Sequence, residues 1–459
     1  MAGRIGFLGV CLAYFTIILD GSVLNVAVPA IRDGLGSSMA GAQWVLNGYT
    51  LTLAALLLTA GALGDRLGLR RTLLAGVTVF TLASAACALA PTTGVLIGAR
   101  VVQGLGAAAL LPATLALVPH LFADAAARAR ATVVWVATGA VAVAVGPLVG
   151  GVLIDAAGWR AIFAINLPIG VVAVLLVRVG VPETPRRGHP VDRIGLVTAA
   201  ATLALLTGGL IDAGSAGWAA PTTLGLLGAA VVAGAAYGIS ARRGAHPMLP
   251  PSFFALRVRA AAVGSAGLMG FLFYGVLFVM SLYFQKVRGW SPGVSGVALL
   301  PMTVGSTIGP LVLYRPLARR YGHRALLLGG FVCCTAGIAT LAYADLHTPY
   351  AGIAIGLLLV GVASTMVFSA LTSLLIGNVP TAQSGLASGV QNTLRQSGAM
   401  IAVAILGSLL NTASLASRLP ATSAVLAAAA VIAVAIAACN LRTIDAPAES
   451  MSATTAGGT

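Results

Sequence analysis

Three ionisable residues, Asp20, Arg100 and Arg395, each stand within a long apolar run that carries no other charge. Each run is long enough to cross the hydrocarbon core of a bilayer as a helix. A charge near the bilayer centre costs about 2.5–3.5 kcal/mol, so such residues usually pair with one another or handle ions and substrates. A buried carboxylate can take up a proton or bind a cation, and a neighbouring arginine competes for its negative charge. These residue types therefore predict proton or ion exchange inside a membrane.

The two charges in the first and fourth runs are expected to lie at similar depth. Asp20 comes a few residues after the middle of an outward-running helix, and Arg100 a few before the middle of an inward-running one. At about 1.5 Å per residue, both fall in the outer half of the membrane, where they could form a pair. Alternatively, Asp20 caps backbone groups near the outer interface while Arg100 extends outward to water.

The composition requires an integral membrane protein. Of the 459 residues, 59% are hydrophobic and 8% charged, and the mean hydropathy is +1.00, which excludes an ordinary soluble domain. Apolar runs of about 20 residues predict membrane-spanning helices. We predict fourteen spans: 6–28, 43–62, 72–90, 94–117, 131–154, 161–178, 194–211, 221–240, 260–284, 294–314, 325–344, 350–376, 385–409 and 421–440.

The charge distribution fixes the expected orientation and excludes other classes of function. The formal net charge is +15, but most basic residues fall in alternate loops, which indicates a topogenic bias rather than a nucleic-acid site. Both termini are therefore expected to be cytoplasmic. The cysteines lie in apolar runs and the histidines in loops or span ends, so we expect no metal site. Neither a nucleotide-binding loop nor a catalytic cluster is evident, and we predict neither an enzyme nor a cofactor.

A short charged loop, Gly61–Arg71, joins the second and third spans. Gly61 and Gly64 allow a close approach to a neighbouring helix, and Gly68 supplies the turn. Asp65 is unusual because a carboxylate at a helix C-terminus opposes the helix dipole, so it requires a positive partner elsewhere. The loop's basic residues place it on the cytoplasmic side: Arg66, Arg70 and Arg71.

This loop resembles the one between spans two and three of the major facilitator superfamily, with Leu69 in place of one basic residue. Four further segments are similar to signatures of its fourteen-span drug/proton antiporter family: Leu19–Pro29, Arg100–Ala108, Gly146–Gly151 and Trp159–Gly170. Gly21, Ser22 and Ala142 depart from the family's usual residues. Ser22 keeps the hydroxyl and Ala142 the small size.

The resemblance implies two six-helix bundles plus two extra helices. We expect a bundle over 1–185, two inserted helices with basic linkers over 186–258, a second bundle over 259–440 and a disordered cytoplasmic tail over 441–459. An internal repeat agrees with this, since residues 63–70 align with residues 317–324. The aligned segments share one Leu, two Arg and one Gly, but Asp65 is replaced by Arg319.

The same resemblance assigns roles to residues of the spans. Asp65 is expected to face the start of span thirteen near Gln383 and Ser384, whose free N–H groups attract an anion. Conformational gating is assigned to Gly61, Asp65, Arg66, Gly68, Arg70, Gly146, Pro147, Gly150 and Gly151, although generic tight packing also explains the last four. Candidates for the substrate cavity are Asn25, Gln103, Met269, Phe273, Tyr274 and Arg395. The aromatic and Met residues of the ninth span could instead face lipid, and Arg395 could brace the bundles.

These features predict a proton-coupled exporter of small, largely apolar or cationic compounds such as antibiotics, working by alternating access. Asp20 and Arg100 would couple protons to transport. The alternatives are export of an endogenous metabolite or lipid, or a channel or membrane sensor without coupled turnover. The expected setting is a bacterial inner membrane, with a monomer that binds its substrate and protons and no nucleic acid.

Overall fold

The computed structural model describes residues 2–122, 124–184, 192–244, 247, 249–342, 344, 346–379, 384–410 and 415–440. Throughout this part of the chain the regular structure is helical, without strands. The first six long helices are α1 (Ala2–Leu35), α2 (Met39–Leu67), α3 (Leu69–Ala88), α4 (Thr93–Ala116), α5 (Ala125–Ala157) and α6 (Asn166–Gly180). Short helices at Val118–Leu121 and Ala161–Ala164 stand next to them.

Eight further long helices follow. They are α7 (Arg193–Ala216), α8 (Pro221–Arg243), α9 (Arg257–Leu282), α10, α11 (Tyr314–Ala342), α12 (Tyr350–Gly377), α13 (Ser384–Leu410) and α14 (Leu415–Asn440). Helix α10 has two segments, Pro292–Ala298 and Leu300–Ile308. One turn of 3₁₀ helix, Pro251–Phe254, precedes α9, and π-helical turns at Tyr283–Val287 and Gly309–Leu313 extend α9 and α10.

Each predicted span falls on one of these helices. Most ends agree within a few residues, but α1 extends seven residues beyond its predicted end and α11 begins eleven residues before its predicted start. In the described part of the chain, 11 helices are long and apolar enough to cross a membrane. Two shorter apolar stretches, Pro292–Ile308 and Pro420–Ile436, belong to α10 and α14, and α2 coincides with the remaining predicted span, 43–62. The predicted all-α membrane fold is therefore confirmed.

The helices pack in two groups. Helices α1 to α6 pack among themselves, chiefly α2 and α3 on α4, and α5 and α6 on α1. Helices α9 to α14 do the same, chiefly α11 on α12 and α9 on α13. The groups meet where α2 contacts α13, α5 contacts α10 and α1 contacts α9, while α7 packs on α8, α2 and α13. The numbered domain boundaries proposed from the sequence stay predictions, and residues 185–191 and 441–459 lie outside the described residues.

Burial distinguishes central helices from peripheral ones. The most apolar stretch of α9 is 78% buried inside the protein, whereas that of α8 is 11% buried. A helix that is apolar on all sides yet unburied must face lipid, so α8 lies at the periphery and α9 at the centre. The two ends of the bundle are named here by their turns: the Gly36 end joins α1 to α2, and the Gly68 end joins α2 to α3.

The internal repeat is visible in the backbone. Gly68 has φ +95° between α2 and α3, and Gly322, its counterpart in the aligned segment, has φ +77° within α11. Residues with a side chain rarely adopt these angles, so glycine allows the same sharp bend at both places. The bend at Gly322 divides α11 at the Gly68 end, as Gly68 divides α2 from α3.

Candidate functional site

The carboxylate of Asp20 forms a buried ion pair with Arg100. Arg100 Nη1 donates to Asp20 Oδ2 at 2.5 Å, and the two side chains are 1% and 2% exposed for Arg100 and Asp20 respectively. Asp20 lies on α1 and Arg100 on α4, so the pair joins two helices inside the first group. The pairing predicted from their depths is present in the structure.

Two amides complete the surroundings of the carboxylate. Gln103 Nε2 and Asn166 Nδ2 each donate to Asp20 Oδ1 at 2.9 Å. Both amides also donate to Ser84 Oγ, at 2.8 Å from Gln103 and 3.4 Å from Asn166. Because these residues come from α1, α3, α4 and α6, the charge of Asp20 is held by donors from neighbouring helices of one group. Buried polar groups that satisfy one another in this way fix a unique arrangement.

The guanidinium of Arg100 has partners of its own besides Asp20. Its Nη1 donates to Gln103 Oε1 at 2.6 Å and its Nε to the Val45 carbonyl at 3.2 Å. The guanidinium carbon lies 4.2 Å from the ring centroid of Tyr49, a cation–π contact. Arg100 therefore has favourable contacts that do not depend on the charge of Asp20.

Sequence reasoning placed some of these residues differently and missed others. Gln103, predicted to line the substrate cavity, belongs geometrically to the Asp20 site. Asn166, Ser84 and Tyr49 were not identified as site residues. Asn166 carried a usable signal, since it is an amide in an apolar run beside Pro168. Ser84 and Tyr49 look like ordinary residues of an apolar helix, and only the packing of α2 and α3 on α4 reveals them.

A second polar group surrounds Arg395 on α13, inside the second helix group. Its Nη1 donates to the Tyr274 hydroxyl at 3.2 Å and its Nη2 to Asn392 Oδ1 at 3.3 Å. The guanidinium carbon lies 5.4 Å from the ring centroid of Phe368 on α12. Arg395 is thus in contact with residues of α9, α12 and α13.

The remaining cavity candidates occupy different positions. Tyr274 is partly exposed beside Arg395, whereas Met269 and Phe273 are buried, at 2% and 8% exposure. Asn25 Nδ2 donates to the Gly21 carbonyl, and its own carbonyl accepts from Ser281 Oγ at 2.9 Å. Asn25 therefore stands where α1 meets α9. The cavity role of these residues stays a prediction.

The glycine-rich face of α5 is a close junction between the two helix groups. A Cβ atom on Gly151 would lie 2.3 Å from the Pro292 carbonyl oxygen, and one on Gly296 2.2 Å from that of Pro147. Cβ atoms on Gly146 and Gly150 would meet Ser22 and Val23 of α1, at 1.8 and 2.7 Å. Only residues without side chains allow such contact. The predicted gating face therefore packs on α1 and α10 at once.

Polar contacts close the same junction toward the Gly36 end. Asp155, on α5, accepts from Ser291 Oγ and from the Gly293 amide, both at 2.9 Å. Gln285 Nε2 donates to the Val26 carbonyl at 2.9 Å. Lys286 Nζ lies 3.0 Å from Asp33 Oδ2. Alongside them, Gln43 of α2 donates to the Val403 and Ala404 carbonyls of α13 at 2.8 and 2.9 Å.

The charged loop at the Gly68 end is tied to the chain after α6. Leu69 N donates to Thr184 Oγ1 at 2.7 Å. Arg70 forms an ion pair with Glu183 at 2.6 Å and also donates to the Arg178 carbonyl at 2.8 Å. Arg66 is exposed. The surroundings of Gly61, the side chain of Asp65 and the predicted contact of Asp65 with Gln383 and Ser384 lie outside what the structure describes.

Across the part of the chain that the structure covers, no group of three or more His, Cys, Asp or Glu side chains could hold a metal ion.

A family model described as Major Facilitator Superfamily matches residues 10–403. The chain belongs to the major facilitator superfamily. It is accordingly a membrane transporter and not an enzyme.

Curated relatives within the superfamily carry names of drug resistance. The chain is 35% identical over 401 residues to the multidrug resistance protein Stp of Mycobacterium tuberculosis, covering 87% of this chain and 74% of that one. It is 33% identical to the methylenomycin A resistance protein of Streptomyces coelicolor, covering 86% and 83%. It is also 33% identical to the puromycin resistance protein of Streptomyces alboniger, covering 88% and 81%.

Solved structures with the superfamily fold superpose over almost the whole chain. A mutant form of the nucleoside transporter NupG gives a TM-score of 0.67 at 13% identity and covers 95% of this chain and 100% of its own. A D-xylose–proton symporter gives a TM-score of 0.67 at 15% identity, covering 94% and 96%. At such identities the likeness supports the major facilitator fold alone.

Proposed function

We propose that this transporter exports small drug-like molecules in exchange for protons. The observation that carries the proposal is the Asp20 site, a fully buried carboxylate whose charge is matched by Arg100. Ionisable residues inside transmembrane helices typically mark proton or ion relays. Drug export is supported by the relatives, which are named for resistance to several drugs, methylenomycin A and puromycin among them.

The proposed coupling follows from competition at one carboxylate. Protonation of Asp20 removes the negative charge that holds Arg100, so the contacts between α1 and α4 weaken. Loss of the proton restores the ion pair and the donors from Gln103 and Asn166. The two protonation states thus favour different arrangements of α1 against α4. If each arrangement is compatible with opening at one end only, proton flow drives the transport cycle.

The structure supports alternating access with the Gly36 end closed. The contacts of α5 with α10, of α1 with α9 and of α2 with α13 described above all lie in the half toward that end. We assign the Gly36 end to the outside, because the basic loop containing Arg66, Arg70 and Arg71 lies at the opposite end. Both termini are then cytoplasmic. Rocking of the helix groups would break the closed contacts and open the cavity outward.

The transporter would act as a monomer in a bacterial inner membrane, without a cofactor, driven by the proton gradient. The charged loop Gly61–Arg71, including Asp65, would control opening at the Gly68 end. The face of α5 formed by Gly146, Pro147, Gly150 and Gly151 would control opening at the Gly36 end. The proposed cavity lies between the groups at the level of Tyr274 and Arg395.

Transport in proteoliposomes tests this function. The purified protein should accumulate radiolabelled puromycin against its concentration gradient when a pH gradient is imposed, and collapse of that gradient should stop accumulation. Counterflow of labelled against unlabelled puromycin should be saturable, since a carrier exchanges substrate and a channel does not. Accumulation that ignores the pH gradient would contradict proton coupling. An absence of counterflow with puromycin and a wider drug panel would contradict drug transport.

A further inference from the structure

Arg395 is the one residue of the proposed cavity whose charge has no opposite partner among the described residues. The ion pairs found there join Arg70 and Arg71 to Glu183, Arg100 to Asp20 and Lys286 to Asp33. No carboxylate lies within 4.0 Å of the Arg395 guanidinium in that part of the chain. A positive charge at this depth is costly unless something balances it. The balancing group is therefore expected to come from outside the described chain.

The hydrogen bonds of Arg395 leave most of its donors free. An arginine has five N–H groups in a rigid fork. Two of them donate to described residues, and those bonds, at 3.2 and 3.3 Å, are longer than the usual length of about 2.9–3.0 Å. Nε is buried and has no acceptor within the described chain. A buried N–H without an acceptor is unfavourable, and a ligand oxygen at this position would satisfy it.

The helix packing holds Arg395 at the level of the cavity. A Cβ atom on Gly270 would lie 2.1 Å from the Arg395 carbonyl oxygen, and one on Gly398 1.9 Å from that of Gly267. Helices α9 and α13 are therefore in backbone contact, which brings Tyr274 to the guanidinium. Arg395 is 11 residues from the start of α13 and Tyr14 is 12 residues from the start of α1. At 1.5 Å per residue, both are about 17 Å from the Gly68 end.

Aromatic rings lie at the same depth as Arg395. Tyr14 stacks on Trp135 of α5 with centroids 4.0 Å apart, and Phe273 meets Tyr274 edge to face at 5.2 Å. Phe368 lies beneath the guanidinium. The neighbouring carboxylate, Asp20, lies six residues beyond Tyr14 on α1, about 9 Å farther along the helix, and already has three donors. At the depth of Arg395, the protein thus has flat aromatic side chains and one positive charge without an opposite partner among the described residues.

We propose that Arg395, Tyr274 and Asn392 form an anion-binding subsite, and that the preferred substrates are organic acids with an apolar aromatic body. This inference rests on the proposed export function and adds the charge of its substrate. A guanidinium fork matches the two oxygens of a carboxylate and also binds a phenolate. An organic cation would instead have to approach Arg395 without a free carboxylate to receive it.

Equilibrium binding of two dyes with the same ring system and opposite charges tests the subsite. Fluorescein and rhodamine share a xanthene body, but the first is an anion near neutral pH and the second a cation. Binding to the purified full-length transporter is followed by fluorescence anisotropy without any pH gradient, together with pairs of aromatic acids and amines as competitors. The parent should bind fluorescein at least tenfold more tightly than rhodamine, and the acids should compete better than their amines.

Variants of Arg395 test whether the preference for the anionic dye comes from this side chain. Arg395→Gln should lose at least tenfold in affinity for fluorescein with little change for rhodamine, which also shows that the cavity remains folded. Arg395→Lys should be intermediate, because it keeps the charge but loses the fork. The matched control is Arg243→Gln, which removes the same charge from an exposed site at the end of α8 and should change neither affinity.

Three results would overturn the proposal. They are equal or tighter binding of rhodamine by the parent, an unchanged dye preference in Arg395→Gln, and failure of every acid in the panel to bind. Proton-driven accumulation of puromycin would still support the exporter function in each case, so the two proposals fail separately. Loss of proton-driven transport with the acid preference intact would refute coupling alone.

Discussion

Replacing Asp20 by asparagine removes the carboxylate charge and leaves the shape of the side chain almost unchanged. Arg100 is then a buried cation without its counter-charge, and breaking a buried ion pair in this way costs about 3–5 kcal/mol. Arg100 retains the Gln103 oxygen at 2.6 Å, the Val45 carbonyl at 3.2 Å and the Tyr49 ring at 4.2 Å. Because these contacts persist, we expect a cost at the lower end, about 3 kcal/mol.

The double variant Asp20→Asn/Arg100→Gln gives the sharper measurement. It removes both charges, so neither is left buried alone, and its loss of stability should be smaller than the sum of the single losses by up to about 3 kcal/mol. The free energy of unfolding is measured in mixed micelles with a denaturant. Asp33→Asn is the control, since it makes the same change on the same helix at a side chain that is 69% exposed. Surface pairs of this kind contribute about 0–1 kcal/mol.

Transport measurements should also distinguish these variants from the parent. Asparagine cannot take up the proton, so Asp20→Asn should lose accumulation of puromycin against its gradient while saturable counterflow survives. Asp20→Glu should keep part of the uphill activity. Strictly additive stability losses in the double variant would refute the ion pair as an energetic unit. Parental uphill accumulation by Asp20→Asn, at matched expression, would refute Asp20 as the coupling residue.

Three further predictions concern the gating contacts and the topology. Gly151→Ala should weaken closure of the Gly36 end and lower uphill transport, because its Cβ would lie 2.3 Å from the Pro292 carbonyl oxygen. The control Gly238→Ala, whose Cβ would meet nothing within 4 Å, should transport normally, and equal behaviour of the two would contradict the close contact. Arg70→Gln should change the free energy of unfolding by only about 1 kcal/mol, since Glu183 is 52% exposed, and a loss several times larger would show that this pair is not a surface contact. Lys286 should react with an impermeant amine reagent added outside intact cells, and protection there with labelling from the cytoplasmic side would reverse the orientation.

The fold could be predicted from the sequence because the membrane imposes a simple rule. A helix must satisfy its own backbone hydrogen bonds in lipid, so every span has to be an apolar run of about 20 residues. Such runs are countable in the sequence, and all fourteen coincide with helices in the described residues. The turn at Gly68 and its counterpart at Gly322 were predictable for a similar local reason, since their positive φ angles favour glycine.

The candidate site was only partly predictable. Asp20 and Arg100 stand out in the sequence because charge is rare in spans, and their similar depths, together with the resemblance to the superfamily, suggested that they meet. Ser84 and Tyr49 do not stand out, because hydroxyls are common in transmembrane helices and gain a role only from what lies opposite. Gln103 was predicted for the cavity, and its bond to Asp20 was not predicted, because that bond depends on how α4 is rotated about its axis.

The sequence by itself determined that the chain spans a membrane, where its helices lie and which charges are buried, because hydropathy and charge are local properties. Only the tertiary structure decided which helices share a junction. It brought α1, α3, α4 and α6 together around one carboxylate. It also left Arg395 beside Tyr274 without an acid among the described residues. Contacts between residues such as Asp20 and Asn166, which are 146 positions apart, depend on helix rotation and on small residues at the crossings, and no local pattern encodes them.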